Sequence, residues 1–248
     1  MSVLITGASG MLGKSLHKLY TDADTISGRS QLDLSDINKT QNWLENKYYS
    51  TIIHSAAFTN LNYCKNNIDK AIILHASIID VLSKHCDRLI YISTVPIWEK
   101  SEYTPNEYFE TKKMGEHVAL KRADNIVVRT NIYGPSNLVD WACQNLQQGQ
   151  QINGYENVLF NPVHVDQLSL WVYNLLKKEI QKQVFTIAGD RTLSKYQFLK
   201  EVAEMIGLDS SLIFPIALPW EQDLILQNPD KTYSFKEGME LIKNDYKN

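Results

Sequence analysis

Val3-Leu4-Ile5-Thr6-Gly7-Ala8-Ser9-Gly10-Met11-Leu12-Gly13 decides how the rest of this chain is read. A short run with no polar alternation enters three glycines spaced GxxGxxG. An amphipathic segment, 12–20, follows with Leu12, Leu16, Leu19 and Tyr20 on one face. The run reads as a buried strand and the segment as a helix. A glycine turn joining a first strand to a first helix is built to hold a dinucleotide. Gly7 permits the tight turn, Gly10 admits a pyrophosphate against bare backbone, and Gly13 lets the helix lie close on the sheet. The helix start then offers free N–H groups and positive dipole to the anion. Three glycines in seven residues also make an ordinary turn; their position between strand and helix is what points to a dinucleotide.

Outward from this turn the rhythm continues. Residues 25–27 read as a strand. Ser35 caps a helix to about 48, with Ile37, Trp43 and Leu44 inward. Residues 51–57, 88–93 and 125–130 read as strands, and 70–85 and 108–121 as helices. Strands with little alternation, each followed by a helix, imply a parallel sheet covered on both faces. The fold class is therefore α/β, a doubly wound, Rossmann-like sheet. After Gly134-Pro135 the pattern loosens. Residues 137–147 and 164–178 read as helices, 183–187 as a strand, and 193–206 as a helix stopped by Gly207. Residues 149–162 and 214–234 read as irregular. The expected division is 1–135, mainly dinucleotide-binding, and 136–248, mainly a smaller substrate-binding lobe, interleaved around 158–190.

The bulk properties exclude several classes. The 248 residues carry 25 basic and 28 acidic side chains, a net charge of −3, and 44% hydrophobic residues. No Lys/Arg stripe points to nucleic acid, and no apolar run is long enough for a membrane span. The N-terminus lacks the basic region of a signal peptide. Cys64, Cys86 and Cys143 are odd in number and form no CxxC pair, which points to a reduced, cytoplasmic setting without a disulfide or zinc framework. No metal is expected.

An acid after the second strand would hold a ribose 2′-hydroxyl, and an Arg there a 2′-phosphate. The chain reads Thr25-Ile26-Ser27-Gly28-Arg29, so Arg29 favours NADPH, with NADH as the alternative; Asp33 and Leu34 in the next turn are placed to meet the adenine. Residues 8–15 also read AxxxxGKS, a P-loop lacking its first glycine. The 88–93 strand ends in Ser-Thr rather than a metal-binding Asp, which argues against a nucleotide triphosphatase using Lys14 and Ser15.

A carbonyl reductase needs a proton donor beside the nicotinamide. A Tyr with a Lys one helical turn on shares a face with it, and the ammonium is expected to lower the phenol's pKa. Tyr108/Lys112, Tyr173/Lys177 and Tyr196/Lys200 all have that spacing. Only Tyr108 follows a strand whose carboxyl end, Ser93-Thr94, should open on the ligand crevice. The other two pairs read as packing or surface residues. His164 reads as a structural hydrogen-bonding group. Trp171 reads as core, and Trp220, beside Pro219, as a substrate-binding loop residue.

Together these residues resemble the extended short-chain dehydrogenase/reductase superfamily, in its dTDP-4-dehydrorhamnose reductase branch. The matching pieces are LITGASGMLG (4–13), LDLSD (32–36), HSAAFTN (54–60), YIST (91–94), PNEYFETKKMGE (105–116), VVRTNIYGP (127–135), NPVHVDQLS (161–169) and the segment 185–208. The resemblance implies that Thr94 orients a keto oxygen, Tyr108 gives it a proton, and Lys112 binds the nicotinamide ribose and tunes Tyr108. It implies that Gly7, Gly10, Met11, Leu12 and Gly13 hold the pyrophosphate, that Ala56, Ala57 and Thr59 line the coenzyme trough, and that residues 163–166 lie near the substrate lobe. Four features depart from the family pattern. Val95-Pro96 follow the Ser-Thr pair, His75 stands for an Asn, Phe109 for a Gly, and Asn228-Pro229 for an Arg-Pro pair. The implied activity is NADPH-dependent reduction of a 4-keto, 6-deoxy nucleotide sugar, with a homodimer as the expected oligomer. Two alternatives stay open: an NAD-dependent nucleotide-sugar 4-epimerase, and a non-catalytic NADP- or sugar-nucleotide-binding regulatory protein.

Overall fold

The computed structural model describes residues 2–100, 105–135, 138–177, 180, 182–219 and 222–246. In chain order the first elements are β1 (Val3–Thr6), α1 (Met11–Leu19), β2 (Asp24–Ile26), α2 (Ile37–Leu44), β3 (Tyr49–His54), α3 (Leu61–Asn66), α4 (Ile68–Ile72), α5 (Ile78–Ser83), β4 (Cys86–Ile92), α6 (Glu107–Ala119) and β5 (Ile126–Thr130). There follow β6 (Ile132–Tyr133), α7 (Leu138–Gln147), β7 (Ile152–Tyr155), β8 (Val158–Phe160), β9 (Val163–His164), α8 (Val165–Leu175), β10 (Val184–Gly189) and β11 (Leu193–Ser194). The chain closes with α9 (Lys195–Ile206), β12 (Ile213–Ile216), β13 (Gln222–Leu224), β14 (Lys231–Tyr233) and α10 (Phe235–Asp245). Two compact units result, Met1–Arg129 with Ser169–Phe185, and Thr130–Leu168 with Thr186–Asn248.

The main sheet has seven strands in the order β14-β10-β5-β4-β3-β1-β2. β1 pairs in parallel with both β2 and β3, and the parallel ladder continues from β3 to β4 to β5. Every residue of β1 is buried, which is why its sequence shows no alternation. The chain leaves β1 for β2 on one side and returns to β3 on the other. The carboxyl ends of β1 and β3 therefore form a topological switch point, where open α/β sheets place their ligands. Leu4, Ile52, Leu89 and Val127 from four neighbouring strands meet in the core of this unit. Each such side chain contributes about 1.5–3 kcal/mol on burial. The second unit has its own core of Tyr133, Phe160, Phe198 and Phe235, whose rings meet in edge-on and tilted pairs.

Three expectations need correction. The second helix is capped by Asp36, not Ser35: the Asp36 carboxylate accepts the Lys39 N–H at 3.0 Å. It stops at Leu44, because Asn46 takes a left-handed φ of 63° and turns the chain into β3. Residues 70–85 are not one regular helix. A π turn, Ile73–Ser77, separates α4 from α5 and carries His75 into the interior. Residues 149–162 and 214–234 are not irregular throughout. β7 pairs with β12, and β8 pairs with both β11 and β13. These strands have two to four residues and partners distant in sequence, so periodicity has too few positions to register them.

Candidate active site

The glycine turn is a cradle shaped by what cannot fit in it. Gly7 has φ +70°, and a Cβ there would stand 2.7 Å from the Ala56 backbone; a Cβ on Gly13 would stand 2.2 Å from the Gly7 carbonyl. β1, the loop after β3 and the start of α1 thus pack backbone on backbone. Gly10 is the N-cap of α1 and supplies no side-chain cap, so the first N–H groups of the helix lack side-chain acceptors there. An uncapped helix start above a side-chain-free turn suits a pyrophosphate. The residues present therefore fit a dinucleotide. Leu12 is buried and offers only its backbone, while Met11 is half-buried.

Ala57 and Thr59 continue from β3 into a hollow of about 490 Å³, lined also by Phe58, Asn60 and Tyr63. Arg29 reaches the same residues. Its Nη1 donates to the Tyr63 hydroxyl at 3.4 Å, and its guanidinium lies 5.7 Å from the Phe58 ring centre. Asp33 and Leu34 are engaged locally: the Asp33 carboxylate accepts the N–H and hydroxyl of Ser35, and Leu34 is buried in the core.

The catalytic candidates are set by β4 and α6. Asn106 caps α6 by accepting the Phe109 N–H at 3.2 Å. Tyr108 and Lys112 follow one turn apart on the same helix face. Thr94, two residues beyond β4, hydrogen-bonds the Tyr108 phenol. Lys112 is only 2% exposed; its Nζ donates to the Ile92 carbonyl at 2.6 Å and stands 4.1 Å over the Tyr91 ring. Burial pulls the Lys112 pKa down to about 7, against a smaller opposing effect of the Glu116 charge. The expected lowering of Tyr108 is not what the site produces. Burial raises its pKa, outweighing the hydrogen bond from Thr94, so the phenol is held protonated.

Two supports escaped the sequence reading. His75 is fully buried. Its Nε2 accepts the Phe58 N–H at 2.9 Å, which fixes the proton on Nδ1, and Nδ1 donates to Thr111 Oγ1 at 2.8 Å. Thr111 in turn donates to the carbonyls of Glu107 and Tyr108. His75, whose ring also meets Tyr108 edge-on at 5.9 Å, so ties the hollow's loop to α6. Burial drives its pKa down to about 2, so it is neutral. The second support is Glu116, one further turn along the Tyr108/Lys112 face. It accepts Ser93 Oγ at 2.6 Å and is bridged by Arg129, which also pairs with Glu99 at 2.9 Å. The i, i+4, i+8 spacing of Tyr108, Lys112 and Glu116 was the available signal.

The other sequence candidates separate cleanly. Lys177 lies over the Tyr173 ring at 3.8 Å, and Tyr173 packs edge-on against Tyr20. Lys200 lies 5.7 Å from the Tyr196 ring centre. Both pairs are packing pairs. His164 is buried, and its Nδ1 accepts the Asp166 N–H at 3.2 Å. Trp171 packs on Phe185, and Lys14 is exposed on α1. Trp220 lies outside the described residues. Among the described residues there is no cluster of three metal-ligating side chains, and no helix is long and apolar enough to cross a membrane.

Comparison with known proteins places the chain in a family. The model of the RmlD substrate binding domain family matches residues 1–221. The chain is 22% identical over 232 residues to the spore coat polysaccharide biosynthesis protein SpsK of Bacillus subtilis, covering 85% of this chain and 81% of that one. It is 24% identical over 256 residues to methionine adenosyltransferase 2 subunit beta of Pongo abelii, covering 86% and 75%. Among solved structures, dTDP-4-dehydrorhamnose reductase of Bacillus anthracis in complex with NADP superposes with a TM-score of 0.84 at 21% identity over 99% of each chain.

Proposed function

The chain belongs to the RmlD substrate binding domain family, and from that premise we propose that it is an NADPH-dependent reductase of a 4-keto, 6-deoxy nucleotide sugar. The observation that carries this reading is Tyr108 hydrogen-bonded by the buried Thr94, with the buried Lys112 one turn on along the same helix. The coenzyme, when bound, supplies the hydride. The backbone of Gly7, Gly10, Met11, Leu12 and Gly13 holds its pyrophosphate, and Arg29 takes the 2′-phosphate that distinguishes NADPH from NADH. Asp33 and Leu34 border the adenine, and Ala56, Ala57 and Thr59 line the trough. Thr94 hydrogen-bonds the keto oxygen. Tyr108 donates its phenolic proton to that oxygen as the carbonyl carbon gains hydride, leaving a phenolate that solvent reprotonates. Lys112 stabilises the phenolate and binds the nicotinamide ribose. A phenol whose pKa is raised in the free site suits the donor role, because it holds its proton until the substrate oxygen turns basic.

In this reading residues 1–135 serve the coenzyme, and 136–248, with Trp220, serve the nucleotide sugar. The three free, buried thiols fit a cytoplasmic setting, and a homodimer is the simplest oligomer. The test is coenzyme oxidation with a panel of 4-keto nucleotide sugars. Turnover with NADPH supports a reductase. A tightly held NAD and interconversion of two 4-epimers would replace it with the epimerase. The likeness to a methionine adenosyltransferase subunit favours one further reading, a coenzyme-binding regulatory protein. It predicts NADPH binding with no turnover of any keto-sugar.

A further inference from the structure

Arg29 is bonded unlike the other arginines of this chain. Arg88 and Arg122 donate to backbone carbonyls, and Arg129 and Arg191 to carboxylates. Arg29 does neither. Among the described residues its one hydrogen bond is the 3.4 Å contact with the Tyr63 hydroxyl, and its exposed guanidinium stands over the Phe58 ring. A guanidinium carries five N–H donors in one plane, so most of these are left to solvent or to a ligand.

The mounting is braced from two sides. Gln31 closes the loop that carries Arg29: its Oε1 accepts the Ser27 N–H at 2.7 Å and its Nε2 donates to the Thr25 carbonyl at 3.0 Å. That loop lies against the glycine turn. Ala8 donates its N–H to the Ile26 carbonyl at 3.1 Å, and a Cβ on Gly28 would stand 3.6 Å from Ser9 Oγ. On the other side Phe58 and Tyr63 pack tilted, with ring centres 4.7 Å apart, and both line the hollow after β3. The Phe58 N–H is tied to His75, and the Tyr63 N–H donates to Asn60 Oδ1 at 2.9 Å. A long side chain gives up rotamer freedom when it grips a ligand, and that loss weakens binding. A ring face and a hydroxyl that hold the guanidinium beforehand reduce the loss.

We propose that Phe58 and Tyr63 are positioning residues that set coenzyme selectivity: they hold Arg29 beside the glycine turn, in place for the 2′-phosphate of NADPH. This role rests on the coenzyme part of the reading above, in which Arg29 takes that phosphate, and not on the identity of the sugar. NADH carries a hydroxyl at that position, so a role of this kind leaves its binding unchanged.

Titration calorimetry on the full chain tests this with NADPH, NADH and adenosine 2′,5′-bisphosphate, on wild type, Arg29→Ala, Tyr63→Phe, Phe58→Leu and the double variant Arg29→Ala/Tyr63→Phe. Wild type should prefer NADPH to NADH. Arg29→Ala should lower that preference about tenfold or more, the loss expected for hydrogen bonds to a charged group. Tyr63→Phe, which keeps the ring and loses the hydroxyl, should lower it about two- to tenfold, and Phe58→Leu about two- to fivefold. The bisphosphate, which has the phosphate but no nicotinamide, should follow NADPH. NADH should bind all these proteins alike. Tyr63→Phe should cost nothing further once Arg29 is gone, a non-additivity that a general structural role would not produce. If Arg29→Ala loses the preference while Tyr63→Phe or Phe58→Leu keeps it whole, the proposal is overturned and the reading of Arg29 stands. Equal weakening of NADPH and NADH in Tyr63→Phe overturns it as well. A preference that survives Arg29→Ala, or that wild type lacks, removes the reading of Arg29 and the proposal with it.

Discussion

Lys112 and Tyr108 are matched through burial rather than through their own contact. Burial holds the Lys112 amine near 7 and the phenol above its ordinary value, so the amine changes protonation state where turnover can be measured while the phenol stays protonated. The proposed reduction needs the phenol protonated and the amine charged. kcat/KM for the keto-sugar should therefore fall as pH rises from 7 to 9, and Lys112→Arg, which keeps its charge, should flatten that fall at a lower overall rate. A wild-type profile flat across this range would refute the assignment. His75 makes a second prediction. In His75→Leu the Phe58 N–H loses its acceptor inside the protein, at a cost of about 1–3 kcal/mol of folding stability. Denaturant unfolding should show that loss. His75→Asn, which keeps an acceptor and a donor, should recover part of both stability and kcat. Recovery by Leu as good as by Asn would mean the hydrogen bonds do not matter.

At the scale of elements, α1 and α6 carry the candidate site, and they were legible in the sequence to different depths. The strand–glycine–helix unit was readable because sterics dictate it: a Cβ at Gly13 would stand 2.2 Å from the Gly7 carbonyl. Gly13→Val should accordingly abolish NADPH binding and lower the melting temperature. Gly28→Ala, whose added carbon meets only the Ser9 hydroxyl at 3.6 Å, should be near neutral in a thermal-shift measurement. The Tyr108/Lys112 pair was readable from spacing and from its place after the Ser93-Thr94 strand end. The direction of the Tyr108 shift was not, because sequence shows the ammonium but not the burial that outweighs it. Nor did periodicity disclose the π turn, since a one-residue widening leaves the apolar pattern of 70–85 almost intact. Glu116 shows the same limit. Its place on the Tyr108 face is sequence information, whereas its bridge to Arg129 needs β5 folded beside α6. Arg129→Met should take the bridging guanidinium away from the buried Glu116 carboxylate and cost about 3–5 kcal/mol, readable by urea unfolding.

For the whole molecule, buried neutral histidines make stability depend on acid. His54 donates from Nε2 to the Leu74 carbonyl and accepts from Thr6, and burial lowers its pKa to about 4; His75 is lowered to about 2. The unfolded chain binds protons on both near pH 6.5 and the folded chain does not, so their contribution is complete above 6.5 and drains away as pH falls toward 4. Lys112 acts in the same sense over a higher window, raising stability as pH climbs from about 7 toward 10. Urea midpoints should fall steadily from pH 7 to 4.5, by a free energy on the order of a few kcal/mol. NADPH should raise the melting temperature with concentration by mass action. The doubly wound sheet was visible in sequence because its strands are buried on both faces, while the small second-unit sheets were not, because their pairings are short and non-local. The account as a whole turns on Tyr108 handing its proton to a substrate oxygen. The most direct measurement is single-turnover oxidation of bound NADPH by a 4-keto nucleotide sugar in wild type and in Tyr108→Phe. The account predicts equal NADPH affinity and a rate about 10²–10⁴-fold lower in the variant; an unchanged rate in Tyr108→Phe would contradict it.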